Sequence, residues 1–221
     1  MFSNNYLNEV NISGNLLKEL EEDTFVNLPI LEVLDLSHNN LVSIKNGAFN
    51  AIPRLKKLLL HHNRLSSYKG DFFANMENDT DLHTLDLSYN ELTYLYPESF
   101  IHHPQLTFVD FSNNKFSFFP TQFIRGLVYL KQLNLNHNLI KVIDEEDFAN
   151  LRMLQDLDLS YNEVADVKET AFQNSSQLQR INLSHNKISM LKTDTFLGRV
   201  LLIQKIIIFF IVCLHETSSF E

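Results

Sequence analysis

A single cysteine, Cys213, stands among 221 residues, so no disulfide can form within the chain. Tryptophan is absent, and glycine and proline occur five times each, too few to supply the turns of a chain this long. Basic residues are outnumbered 18 to 27, which leaves a formal charge of −9. That balance argues against nucleic acid or an anionic membrane surface as partner, because both select basic faces. There is no glycine-rich phosphate loop, and no nucleophile has a base at a meaningful spacing. Catalysis is therefore not indicated, and no cofactor is expected. Residues 1–6 hold neither a basic stretch nor an apolar run, so they do not form a secretory signal peptide.

What the chain has in quantity is asparagine, 24 of them, a residue that tolerates turn geometry and bonds to nearby backbone. With 44% hydrophobic and 20% charged residues, the composition is that of a folded protein. Self-similarity then sets the architecture. Leu7, Leu31, Leu55, Leu82, Leu106, Leu130, Leu154 and Leu178 are separated by 24 residues at every step but one, where the interval is 27. Each opens the same phrase, as in Leu31-Glu-Val-Leu34-Asp-Leu36-Ser-His-Asn39-Asn-Leu41. Residues four and six of the phrase alternate with polar ones, which predicts a short strand with one buried face. No single repeat can cover its own leucines, so successive strands must stack in parallel and share a core. The expected array spans residues 1–201, and residues 202–221 form a non-repeat hydrophobic tail.

The ninth position is asparagine in all eight repeats: Asn15, Asn39, Asn63, Asn90, Asn114, Asn138, Asn162 and Asn186. A chain turning inward from a strand leaves N–H and C=O groups unpaired, and a buried amide can serve both. This column is expected to be structural rather than ligand-binding. Ten residues further on stand Phe25, Phe49, Phe73, Phe100, Phe148, Phe172 and Phe196, with Phe123 nine residues on, a slip in the fifth repeat. These predict a column of stacked rings inside the return face.

The phrase and its interval resemble the leucine-rich repeat family in its 24-residue form. The resemblance covers about nine-tenths of the chain. It implies an α/β-class, right-handed solenoid with a concave parallel sheet of about eight strands and a mostly irregular convex face. Extracellular members of this type include Toll-like receptor ectodomains, matrix proteoglycans and chaoptin-type adhesion proteins. The Phe- and Asn-rich wording of residues 108–119 is most similar to the chaoptin type. Such chains usually carry cysteine-rich caps and a signal peptide, and neither is present here, so the sequence reads as a fragment of a longer ectodomain. The implied function is extracellular protein–protein recognition in cell adhesion, with a protein ligand or a second copy of the chain as partner. The alternative is a ligand-sensing ectodomain of a Toll-like signalling receptor. Membrane attachment of the parent protein is compatible with either.

Outward-pointing strand residues would line the concave face, on the order of 34 Å long at about 4.8 Å per strand. The expected partner-binding residues are Val33, Asp35, Lys57, Leu59, Thr84, Asp86, Phe108, Asp110, Gln132, Asp156, Asp158 and Arg180. Asp35, Asp86, Asp110 and Asp158 make an acidic stripe, with Val33, Leu59 and Phe108 as apolar anchors beside it. His38, His62, His137 and His185 share the eighth position with Tyr89 and Tyr161, and His61 precedes His62. They are expected to be rim residues bonding to adjacent turns, without a metal. Four Asn-x-Ser/Thr triplets occur, about the number that chance supplies; of these, Asn78 and Asn174 fall where a glycan fits. Asn11 and Asn182 fall on strands instead. The apolar run 201–214, interrupted by Gln204 and Lys205, would reach about 21 Å as a helix, short of the roughly 30 Å hydrocarbon core. It reads as non-repeat sequence from a misread gene end, a cover for the last repeat, or a poor membrane anchor.

Overall fold

Three residues in each repeat are extended, with an aliphatic in the middle that is buried in all but the end strands and a half-buried or exposed residue on either side. That pattern gives a strand one buried face and one open face. In the computed structural model, which describes residues 6–50, 52–68, 72, 81–96, 99–100, 103–124, 126–193 and 195–196, these segments form one parallel sheet. Its strands are β1 (Glu9–Asn11), β3 (Val33–Asp35), β5 (Lys57–Leu59), β7 (Thr84–Asp86), β9 (Phe108–Asp110), β10 (Gln132–Asn134), β12 (Asp156–Asp158) and β14 (Arg180–Asn182). They lie side by side in chain order, and each residue pairs with the residue at the same repeat position in the next coil. The 27-residue interval leaves this register intact: Leu58 pairs with Leu85, so the extra chain is absorbed outside the sheet.

The return path carries shorter ladders that the hydrophobic pattern did not reveal. Two-residue strands β2 (Glu19–Leu20), β4 (Ser43–Ile44), β6 (Ser67–Tyr68), β8 (Tyr94–Leu95), β11 (Val142–Ile143) and β13 (Asp166–Val167) pair β2 with β4, β6 with β8, and β11 with β13. In the fifth repeat the matching pair, Phe118-Phe119, forms no such strand. No α-helix occurs among the described residues, in keeping with an irregular convex face. No described helix is long and apolar enough to cross a membrane, and the tail 202–221 lies outside the described residues.

Between the two sets of strands runs one core. Leu34, Leu36, Leu58, Leu60, Leu85, Leu87, Val109 and Leu135 are completely buried. Burying such a side chain contributes about 1.5–3 kcal/mol. In the outermost described coils the same positions, Val10, Ile12, Ile181 and Leu183, are only partly buried. Burial thus comes from a neighbour on each side, as expected of stacked repeats.

The aromatic column is real but differs from the expectation in the fifth coil. Phe25 stacks on Phe49, and Phe148 stacks on Phe172, which stacks on Phe196. Phe73 lies outside the described residues, and Phe72 stands edge-on to Phe49. In the fifth repeat the chain does not slip. Ile124, ten residues after Asn114, is the buried residue, while Phe123 is half-exposed against Tyr94 and Phe119 supplies the ring that meets Phe148. The cause is local: Pro120 lacks an N–H, and its carbonyl accepts from both Phe123 and Ile124, a tight turn that directs Ile124 inward.

Tyr68 occupies an inner position that other coils fill with Leu20, Ile44 or Ile143. Its ring is fully buried against Phe72 and Phe100, and its hydroxyl has no hydrogen-bond partner. Burial accordingly drives its pKa well above the ordinary tyrosine value. Tyr68→Phe should keep the packing, remove a desolvated hydroxyl and raise the unfolding free energy by about 1 kcal/mol. Urea titration of the two chains checks this, and a lower midpoint for the variant would contradict it.

Candidate recognition surface

The outward residues of the sheet fall into two columns with different duties. At the fifth position the side chain bends back on its own backbone. The Oδ1 atoms of Asn11, Asp35, Asp86, Asp110, Asn134, Asp158 and Asn182 accept the N–H two residues on, at 2.8–3.1 Å. Asp and Asn close such turns because their oxygen reaches an N–H that the sheet has left behind. This gives the acidic stripe a structural duty that the sequence reading did not assign. Leu59 is the exception, since it has no oxygen to offer His61.

These side chains also bond across strands. Asn134 Nδ2 donates to Asp110 Oδ2 at 3.0 Å, and Asn182 Nδ2 donates to Asp158 Oδ2 at 3.2 Å. Asp86 and Asp110 stand in register on adjacent strands. Burial pushes the Asp110 carboxyl above the usual carboxylate range and Asp86 adds to this, against the bonds accepted from Ser112 and Asn134. Asn11 and Asn182, the two strand-borne members of the Asn-x-Ser/Thr triplets, have their amides engaged in these same bonds. Asn174 is exposed, and Asn78 lies outside the described residues.

The third-position column is freer. Val33, Thr84, Phe108 and Asp156 are half-buried, and Lys57, Gln132 and Arg180 are exposed. Towards the last described coils they line a groove of about 620 Å³ that includes Phe108, Gln132, Asn134, Asp156, Asp158 and Arg180. Arg180 donates to Asp156 Oδ2 at 2.5 Å and Gln132 donates to the same oxygen at 3.1 Å, while Asp156 Oδ1 has no partner. The groove therefore offers an apolar ring and an exposed guanidinium within one concavity, with Asp156 Oδ1 buried beneath them.

Behind the sheet the ninth-position amides are hydrogen-bonded on both sides. Asn90 Nδ2 lies 2.9–3.1 Å from the carbonyls of Leu60, Leu87 and Ser88, and its Oδ1 accepts from Leu65 N–H at 3.0 Å. Asn39, Asn63, Asn114, Asn138 and Asn162 repeat the arrangement and are buried. Asn186 makes the same contacts while partly exposed. Asn15 is exposed and reaches only Ile12 and Ser13 of its own turn.

The eighth position is left-handed in every coil: Gly14 has φ +69°, and His38, His62, Tyr89, Asn113, His137, Tyr161 and His185 lie between +50° and +55°. Such a φ is uncommon outside glycine, with Asn and His enriched there, which fits part of the wording. The side chains were expected to hydrogen-bond along the rim; they stack instead. His38 lies on His62 and His62 on Tyr89, at 4.2 and 4.1 Å between centroids. Tyr161 lies between His137 and His185 at 4.3 and 4.1 Å. The recurrence of His and Tyr at one position was the available signal.

A stack of parallel coils with an amide row behind an open sheet defines a class of binding scaffolds. The chain belongs to the leucine-rich repeat family, whose model matches residues 5–65, 53–116, 104–164 and 154–202. No curated protein matches it by sequence. Among solved structures it is similar to human 5T4, the Wnt-activated inhibitory factor 1 or trophoblast glycoprotein, with a TM-score of 0.69, 22% identity, and 83% of this chain and 71% of that one covered. It is also similar to a structure of the Drosophila Toll–Spatzle complex (TM-score 0.67, 24% identity, 83% and 27% covered). A complex of TLR13 with single-stranded RNA matches with a TM-score of 0.65 and 23% identity, covering 81% and 28%. The chain spans under a third of the length of the Toll and TLR13 chains. These likenesses concern the fold, and leucine-rich repeat proteins are generally non-enzymatic binding scaffolds.

Proposed function

We infer that this chain recognises another protein through the sheet face, as part of an extracellular adhesion protein of the chaoptin type. The observation that carries the reading is the groove on the sheet face lined by Phe108 and the exposed Arg180. Aromatic and arginine anchors in a concavity are the features of residues that dominate binding energy. Val33, Lys57 and Thr84 extend the face, while Asp35, Asp86, Asp110 and Asp158 give it negative potential that favours a basic partner patch. The similarity to Toll supports a second reading, an ectodomain that senses a soluble protein ligand.

Fluorescent tetramers of the chain applied to intact cells, and beads coated with it, test the proposal. Adhesion predicts cell binding that is lost when the cell surface is treated with protease, or bead clustering if the partner is a second copy. Phe108→Glu and Arg180→Glu should each lower the signal at least about tenfold, whereas Lys141→Glu, off the sheet face, should not. Sensing predicts neither cell binding nor clustering but capture of a soluble protein, with the same dependence on Phe108. Equal losses from Lys141→Glu would remove the sheet face as the site.

A further inference from the structure

Among the described residues, three imidazoles meet at one place. His38, His61 and His62 each present a ring nitrogen within 4.8 Å of the other two. His38 and His62 are stacked, at 4.2 Å and 20°, and His61 stands nearly perpendicular to both, at 88° and 78°. His61 Nδ1 lies 3.0 Å from His62 Nδ1, so at least one of these nitrogens is an unprotonated acceptor. Burial lowers the His62 pKa and so do the neighbouring His38 and His61, against the opposing pull of Asp86. Neutral imidazole is the form that ligates metal.

Two of the three rings have a scaffold role, since the eighth position stacks rings in several coils. His61 has none. The seventh position is Ser13, Ser37, Ser88, Ser112, Asn136, Ser160 or Ser184 elsewhere, each with its N–H closed by the residue two before it. In this one coil both partners change: Leu59 replaces the capping side chain and His61 replaces the small polar residue. A turn closure kept in seven coils is given up at the single coil where a third imidazole joins two others.

We propose that His38, His61 and His62 form a binding site for a divalent cation of zinc type at the rim of the sheet. A zinc ion held at about 2.0–2.1 Å by three nitrogens requires them to be about 3.3–3.4 Å apart in tetrahedral geometry. His38 and His62 are exposed and His61 is half-exposed, so their rings have room to turn about the side-chain bonds toward a shared ion. Three protein ligands leave a fourth position to water, and bound metal ties the second coil to the third. The site does not depend on the recognition function.

Titration calorimetry of the full chain with zinc chloride at neutral pH tests it. The expected result is one zinc bound per chain, with affinity lowered at least about tenfold in both His61→Ser and His38→Asn. Each variant installs a residue that the same position carries in another coil, so fold and turn are retained; zinc-free melting curves matching the wild type confirm this. His137→Ala, a stacked histidine outside the cluster, should bind zinc as the wild type does. Cobalt in place of zinc gives an independent readout, a visible ligand-field band present in the wild type and absent in His61→Ser. The proposal is overturned if wild-type chain binds zinc no more tightly than His61→Ser, or if His137→Ala loses as much.

Discussion

Replacing Asn114 by alanine is expected to lower the unfolding free energy by about 4 kcal/mol, far more than its size suggests. The amide lies 2.9, 3.1 and 3.1 Å from the carbonyls of Leu87, Phe111 and Ser112, and its oxygen accepts from Leu92 N–H at 2.8 Å. Two of those groups belong to the coil before it, so the side chain joins adjacent turns at a point where the sheet ladder has ended. Alanine leaves several backbone groups buried and unpaired, each costing about 1–3 kcal/mol. Asn15→Ala is the internal control. That amide is exposed and bonds only within its own turn, so its loss should cost under about 1 kcal/mol. Urea denaturation of both variants separates the two cases, and equal losses would show that the amide's neighbours, not burial, set the cost.

Phe148→Ala should cost about 3–5 kcal/mol, the range for emptying a buried aromatic site. The ring is wholly buried, 4.7 Å from Phe119 and 5.1 Å from Phe172, so its removal leaves a hole shared by three coils. Collapse into that hole would have to move strands pinned by register on both sides. Phe123→Ala makes the contrast, because that ring is half-exposed against Tyr94 and should cost under about 1.5 kcal/mol. In sequence the two phenylalanines look like members of one series. Differential scanning calorimetry should rank them apart, and similar melting temperatures for the two variants would refute the inward placement of Ile124.

The two phenylalanines mark where reading the sequence reaches its limit. The leucine interval and the alternation at positions four and six suffice for the parallel sheet, because a buried residue at the same place in every coil has only its neighbours to pack on. The candidate binding columns follow from the same alternation. Three things were less accessible. The two-residue ladders of the return path carry one buried residue each, too little for a period to show. Pro120 moved the aromatic role from Phe123 to Phe119 through a turn whose geometry is not written in the spacing. At the fifth position, an aspartate facing solvent and one closing a turn are the same letter. Only the distance from Oδ1 to the following N–H distinguishes them, and it shows that the conspicuous acid was partly committed to the backbone. His61 could be noticed from sequence, but its perpendicular approach to two stacked rings required the coils to be assembled.

The register that survives a 27-residue interval has an evolutionary corollary. Since every residue of a strand meets its own counterpart one coil away, duplicating or deleting a whole unit creates no junction that the chain does not already contain. Such a protein can change length in quanta of one coil, and extra loop sequence can accumulate on the return side without disturbing the sheet. Leu59 and His61 show the other freedom this allows: one coil can exchange a turn closure for new chemistry while its neighbours hold the shape.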